Sequence, residues 1–283
     1  MAINIGCSGW SCEGWKGNFY PKNMDTKDYL SYYSKFFKFV ELDSTYYHIP
    51  SRSTVRGWKD KTPPDFRFSL KFPRVITHEK KLYDVAKPLS IFFYSLEPLV
   101  GKTLTLLIQL LSFLTEKKGF DAIQDMVYHL DKRFRYSLEV RHSSWFTNDV
   151  YDFLKKNNIS LVWSVRDQLT SPTIVTSDQI YIRFIGDRSI SEMHFGKIVK
   201  DRRKEMLKYV KKVKESQDEN SNNRDMLIAF NNHFAGFGPH SVNDFIKLMN
   251  MSEIDWKAEL KSYENNSGQP IDRFQSSLSD FTK

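Results

Sequence analysis

Cysteine is nearly absent from this chain of 283 residues: only Cys7 and Cys12 occur. Their spacing matches neither a zinc-ligand pair nor a redox motif, which excludes a disulfide-stapled fold and makes a reducing compartment, the cytoplasm, the expectation. No apolar run approaches the roughly eighteen residues of a membrane-spanning helix. The opening Met1-Ala2-Ile3-Asn4-Ile5-Gly6 has neither the basic start nor the apolar stretch of a secretory leader, so a soluble, uncleaved protein with no membrane partner is expected. Internal repeats, low-complexity stretches and glycine-rich nucleotide-binding fingerprints are missing as well, and no organic cofactor is expected.

What is present suits one large fold. Hydrophobic residues make up 40% and charged residues 27%, enough to bury a core without staples. Lys and Arg number 42 against 34 Asp and Glu, a net charge of +8. That balance leans towards anionic partners, either a small anionic substrate or nucleic acid.

Eight β-rich runs are spread over the chain, at 3–8, 39–44, 67–72, 104–110, 135–141, 160–165, 180–186 and 226–232. Helical patterns fill most gaps, at 27–37, 54–61, 90–99, 120–130, 148–156, 192–215 and 241–249, with Thr26, Ser53 and Thr147 as side-chain caps. Strand–helix alternation implies a parallel sheet, and eight units in this length predict an α/β fold, a single-domain (β/α)8 TIM-type barrel. An open doubly wound sheet is the rival. Residues 1–251 would form the barrel and 252–283 a polar C-terminal extension packed on it or trailing from it, with polar loops at 218–224 and 264–270.

Parallel strands are normally apolar on both faces. Several of these are not. With a period of two, Val40 and Leu42 share one face while Glu41 and Asp43 share the other. Leu138 and Val140 likewise oppose Ser137, Glu139 and Arg141. Phe68, Leu70 and Phe72 oppose Ser69 and Lys71; Ile182 and Phe184 oppose Tyr181 and Arg183; Leu106, Ile108 and Leu110 oppose Thr105, Leu107 and Gln109. If the apolar faces pack on helices, these charges collect inside the barrel and must pair to offset their desolvation.

The rim segments that follow the strands add Ser8, Trp10, Tyr46, His78, His142, Trp145, Asn231 and Asn232. General acid–base work is the expected task of Glu41, Asp43, Glu139 and His142. Lys71, Arg141 and Arg183 would clamp a phosphate, carboxylate or developing oxyanion. The remaining binding candidates are Gln109, Asn231, Asn232, Ser8, Trp10, Tyr46, His78 and Trp145. The plainer alternative is that Glu41 and Glu139 only neutralise the basic residues while His142 orders a loop. Glu41, Asp43, Glu139, His78, His142 and His233 are of metal-ligand type, but their spacing is not diagnostic and nearby cations compete. No metal ligands are assigned, and a divalent metal stays open.

Taken together, the expectation is a barrel enzyme, a hydrolase or lyase by its acid–base groups, acting on an anionic substrate at the C-terminal ends of the strands. Two alternatives remain. One is a nucleic-acid-binding or repair-endonuclease-like protein using the basic segment 197–214 and the aromatics Trp10, Trp15, Tyr46, Tyr47 and Trp145. The other is a non-catalytic scaffold around a salt-bridged polar core.

Gly6-Cys7-Ser8-Gly9-Trp10 with Trp15, Gly17 and Phe19-Tyr20-Pro21, then Val40-Glu41-Leu42-Asp43-Ser44-Thr45-Tyr46-Tyr47, resembles the YecE-like proteins, the domain of unknown function 72 family. Thr62-Pro63-Pro64, Phe66-Arg67-Phe68, Lys71, Ile76-Thr77-His78, Gln109, Glu139-Val140-Arg141-His142, Ser144-Trp145-Phe146, Tyr181-Ile182-Arg183 and Asn231-Asn232 extend the likeness over residues 3–250. The resemblance implies a TIM-type barrel and brings no assigned reaction. Cys7, Cys12, Leu111-Ser112, Ile185 and Arg166 depart from the family's usual residues, Arg166 standing where an acidic side chain is more typical.

Overall fold

Parallel neighbours need a crossover between them, because each strand must return to the same starting edge before the next begins. The computed structural model, which describes residues 2–186, 188–218 and 224–266, has that pattern. Among the described residues the strands are β1 (Ile3–Ser8), β2 (Phe39–Leu42), β3 (Arg67–Lys71), β4 (Thr103–Gln109), β5 (Tyr136–Glu139), β6 (Ile159–Leu161), β7 (Trp163–Val165), β8 (Gln179–Phe184) and β9 (Asp225–Phe230). They pair in parallel in the order β6-β5-β4-β3-β2-β1-β9-β8-β7. The helices are α1 (Tyr29–Phe36), α2 (Ser44–Tyr47), α3 (Arg52–Asp60), α4 (Ala86–Leu96), α5 (Glu116–Val127), α6 (Asn148–Lys156), α7 (Arg203–Asp218), α8 (Asn232–Ala235), α9 (Gly238–Leu248) and α10 (Lys257–Asn266). The result is a single-domain α/β TIM-type barrel, nearly closed.

Its seam lies where the sequence suggested one strand at 160–165. That run is two short strands, β6 pairing with β5 and β7 pairing with β8, with Val162 between them. A competing partner explains the break. The segment after β7 returns alongside, and the Ser171 hydroxyl accepts from Ser164 N at 2.7 Å while donating to Val162 O at 2.9 Å. Thr176 does the same one turn lower, accepting from Leu161 N and donating to Ile159 O, both at 2.7 Å. Side-chain hydroxyls therefore satisfy backbone groups that a continuous ladder would have used.

Helix boundaries differ from the sequence expectation in instructive ways. Ser51, not Ser53, caps α3, accepting from Thr54 N at 3.1 Å. Asp25, not Thr26, accepts from Lys27 N ahead of α1, whereas Thr147 caps α6 through Val150 N as expected. The stretch 192–215 is not one helix: a short turn at Glu192–His194 precedes α7. Gly196 lies between them with φ of 100°, and a Cβ there would stand 1.8 Å from Gly14 O. Backbone contact at that point leaves no room for a helical side chain.

The outward faces of the strands and the inward faces of the helices make one apolar core that includes Val40, Leu42, Leu70, Leu138, Ile182 and Phe184. Of the Tyr29-Tyr32-Tyr33-Phe36-Phe37 stripe, the last four pack around Phe19, whose ring also meets Trp256 at 5.5 Å between centroids, and Tyr29 stacks on Tyr20. Trp256 donates its Nε1 hydrogen to Asn18 O at 2.9 Å, and Lys35 meets Glu259 at 2.7 Å, so the described part of the segment after residue 251 lies on the barrel. Residues 267–283, most of the expected extension, and 219–223 of the expected loop fall outside the described residues. Among the described residues no helix is long and apolar enough to cross a membrane.

Candidate active site

Alternation along each strand sorts the barrel interior into layers. At the bottom, Gln179 donates to Thr105 Oγ1 at 2.9 Å and Ser137 Oγ at 3.0 Å. Above it lies an apolar layer of Phe39, Leu107, Val162, Tyr181, Leu227 and Ala229. The top layer is ionic. Arg183, on β8, donates to both oxygens of Glu41 on β2, Nε at 2.5 Å and Nη2 at 2.6 Å, and through Nη1 to Glu139 on β5. All three are essentially inaccessible to solvent, with exposures of 2%, 0% and 0%.

Neighbours complete this ion cluster. Tyr181 donates its hydroxyl to Glu41. Gln109 donates to Glu139 Oε1 at 3.0 Å, Arg141 Nε to the same oxygen at 3.1 Å, and Arg166 Nη1 lies 3.8 Å from it. Burial pushes both carboxyl groups up, but the Arg183 charge outweighs it at Glu41, and Arg183, Arg141, Lys71 and Arg166 outweigh it at Glu139. Both therefore sit below the usual carboxylate range and stay ionised at neutral pH. Burial alone would lower Arg183; its two carboxylate partners raise it well above its ordinary value.

Above the cluster the mouth opens. Asp43, just past β2, lies 3.6 Å from the Lys71 ammonium at the end of β3. The short helix α2 is fastened over β3 by Thr45, whose hydroxyl donates to Lys71 O at 2.7 Å, and this sets the Tyr46 ring 4.6 Å from Lys71 Nζ. After β3 the chain makes a π-helical turn at Val75–Glu79, a geometry common at functional sites. It brings His78 edge-on to Tyr46 at 4.9 Å, with Nδ1 2.8 Å from Thr77 Oγ1. Burial, then Arg141, Lys71 and Arg74, lower the His78 pKa to about 4, so it is neutral near pH 7.

On the other side of the mouth two hollows share Arg141, Arg166 and Gln168. One, of about 200 Å³, is also lined by Ser112, His142 and Ser143; the other, of about 180 Å³, by Ile185, Gly186 and Arg188. Arg166 Nε is buried there without a hydrogen-bond partner. His142 accepts from Ser144 N at 3.2 Å through Nδ1, capping the turn that follows β5.

The sequence candidates thus divide. Glu41, Lys71, Gln109, Glu139, Arg141 and Arg183 converge, with Asp43, Tyr46, His78 and His142 at the rim. Ser8 sits in register beside Glu41, and Trp10 packs edge-on against Trp58 at 6.3 Å. Trp145 is a correction: it is fully buried, donates to Leu114 O at 2.8 Å and packs on Phe120, because its indole belongs to the helix-facing core. Trp15, one of the aromatics of the nucleic-acid alternative, is buried too, donating to Asn232 Oδ1 at 3.0 Å, and is not available to stack on a base. Asn232 also accepts from Gly238 N at 2.9 Å, and Asn231 caps α8 through His233 N at 3.0 Å, so both amides have structural partners. In the basic segment, Arg202 is held by Asp167 and Glu205, and Arg203 by Asp201. Among the described residues no three His, Cys, Asp or Glu side chains converge as metal ligands.

Arg166, Gln168 and Arg188 were missed. Arg166 was visible in principle: it continues the inward series Ser160, Val162, Ser164. The other two follow turns that carry no periodic signal.

Fold and site define the class: a single-domain TIM-type barrel whose mouth stands over a buried ionic cluster. Residues 4–264 match the family model described as "Protein of unknown function DUF72", and the chain belongs to that family. It is 24% identical over 276 residues to the UPF0759 protein YunF of Bacillus subtilis, covering 88% of this chain and 95% of that one. The UPF0759 protein YecE of Escherichia coli is 30% identical over 117 residues, 41% of this chain; the chain spans less than half, 43%, of that relative. Among solved structures, a DUF72 family protein of Thermotoga maritima superposes with a TM-score of 0.75 at 26% identity, covering 88% of this chain and all of that one. One from Enterococcus faecalis has a TM-score of 0.71 at 21% identity, covering 90% and 98%, and shares the fold.

Proposed function

We propose that the barrel mouth binds the phosphate or carboxylate of a small substrate and moves protons on it. The observation that carries this is the pair of hollows over Glu139, where Arg141 and Arg166 line both and Arg188 joins one of them. Among the described residues, Lys71, Arg141, Arg166 and Arg183 meet Glu41, Asp43 and Glu139, and Arg188 lines the same mouth, so these groups are five cations against three carboxylates. A planar guanidinium with an unused buried N–H suits an oxyanion.

The chemistry favours different tasks for the carboxylates. Glu41 and Glu139 are ionised and their oxygens are occupied by Arg183, so they neutralise and position the arginine. Proton transfer falls to the groups at the open rim: Asp43, His142 and neutral His78.

Calorimetric titration with inorganic phosphate tests the anion site. Arg141→Ala and Arg166→Ala should each weaken binding by about tenfold or more, as expected for a lost charge-assisted hydrogen bond of about 1.5–3 kcal/mol. Unchanged binding in both variants, or no phosphate binding to the wild type, refutes the proposal. An oligonucleotide titrated in parallel, binding more tightly than phosphate with a steep salt dependence, would instead favour a nucleic-acid partner.

A further inference from the structure

Two lysines of this barrel are buried to the same extent, 9% exposed each, and are held in opposite ways. Lys102 is fully engaged. Its ammonium donates to the carbonyls of Lys59, Thr62 and Pro63 at 3.0, 2.8 and 2.8 Å and meets Thr62 Oγ1 at 2.9 Å. Three N–H groups find four oxygens, and the role is structural.

Lys71 has none of this. Among the described residues its Nζ has only the 3.6 Å approach to Asp43 and the face of Tyr46. Asp43 Oδ1 is itself buried without a hydrogen-bond partner. An amine and a carboxylate are thus set side by side at the mouth, each lacking a close polar contact that a bound molecule would supply. Arginines already provide the fixed positive charge, and lysine is the one cation of the set that can give up its proton. Burial lowers the Lys71 pKa; Asp43 raises it and Arg183 lowers it again, with a net fall below the ordinary 10.5.

We infer that Lys71 is a nucleophile that forms an imine with the carbonyl of an anionic substrate, an aldehyde, ketone or 2-oxo acid carrying a phosphate or carboxylate. This rests on the anion-binding proposal above and adds the substrate class. Asp43 takes a proton from the ammonium. The freed nitrogen lone pair forms the C–N bond while the carbonyl π pair moves to oxygen, and that oxygen takes one of the two protons left on the now positive nitrogen to give a neutral carbinolamine. The Asp43 carboxyl returns its proton to the departing hydroxyl, water leaves, and an iminium remains. One water is released per iminium, and nothing is oxidised or reduced. The positive iminium then favours loss of a proton from the adjacent carbon, for which His78, edge-on to Tyr46 and neutral near pH 7, is a base at the same rim.

Pyridoxal phosphate carries both a carbonyl and a phosphate and serves as the probe. The full chain is incubated with it below stoichiometry near neutral pH, reduced with borohydride, and its lysines mapped by peptide mass spectrometry. Lys71 should be labelled several-fold more than the lysines of α7, since a more acidic ammonium exposes more free amine and the neighbouring arginines hold the phosphate of the reagent beside it. Lys102 should stay unlabelled. Excess inorganic phosphate and Arg141→Ala should each reduce the Lys71 adduct, and Lys71→Arg should abolish it. Label spread over surface lysines but absent from Lys71, with Arg141-dependent phosphate binding intact, overturns the imine and leaves the anion site standing. A Lys71 adduct indifferent to phosphate and to Arg141→Ala keeps the nucleophile and overturns the anion site; neither adduct nor phosphate binding overturns both.

Discussion

Replacing Arg183 by Met tests the ionic cluster at its centre. Three fully buried charges become two carboxylates, and breaking a buried pair by deleting one partner costs about 3–5 kcal/mol, a large part of the roughly 5–15 kcal/mol that stabilises a typical domain. The loss is unevenly shared. Glu139 keeps Arg141 at 3.1 Å and Arg166 at 3.8 Å, whereas Glu41, among the described residues, keeps beside it only the neutral hydroxyls of Tyr181 and Ser8. Glu41→Gln added to Arg183→Met should therefore recover more stability than Glu139→Gln added to it.

The sign of the pH dependence follows. In the wild type both carboxyl groups lie below their unfolded pKa, so their contribution is full above about pH 4.5 and is lost as pH falls through the folded values. Without Arg183, burial raises Glu41 above its unfolded value, and the variant gains stability as pH falls through that raised pKa towards about 4.5. Urea unfolding followed by circular dichroism between about pH 5 and 8 reads both effects. If Arg183→Met does not fold at neutral pH, its double variant with Glu41→Gln carries the comparison. A loss under about 1 kcal/mol, a loss independent of pH, or equal rescue by either Gln would refute this account of the cluster.

Ser171→Ala removes the hydroxyl that serves both Ser164 N and Val162 O at the seam, and should cost about 1–3 kcal/mol. Amide exchange at Ser164 should accelerate well beyond that of β4; equal acceleration everywhere would mean the seam is not a local weak point. His78 should titrate near pH 4 by NMR, and Arg141→Ala should raise that midpoint towards 6.5 by removing a neighbouring positive charge. Because its folded pKa is depressed, His78 favours the folded state fully above about pH 6.5 and progressively less as pH falls towards 4. A wild-type midpoint at or above 6.5 would show that the imidazole is neither buried nor crowded by cations.

Sequence alone determined the barrel and the inward charges, because both rest on period-two alternation, which survives without knowledge of neighbours. Glu41, Lys71, Glu139 and Arg183 were legible for that reason: each occupies the polar face of a strand whose other face is apolar. Trp145 and Trp15 were misplaced because a rim position in the chain does not say which way a large side chain turns, and packing turned both inward. The split at Val162 depended on hydroxyls from residues 171 and 176, which compete for the backbone only once the chain has folded back. Which ions pair was decided in three dimensions as well. Arg183 lies 142 residues from Glu41 and 44 from Glu139 along the chain, and only barrel closure brings them within hydrogen-bonding reach. Among the described residues the fold leaves Lys71 without a close partner while giving Lys102 four. Residue type and periodicity are local properties, but the partners that make a buried charge structural or reactive come from distant strands.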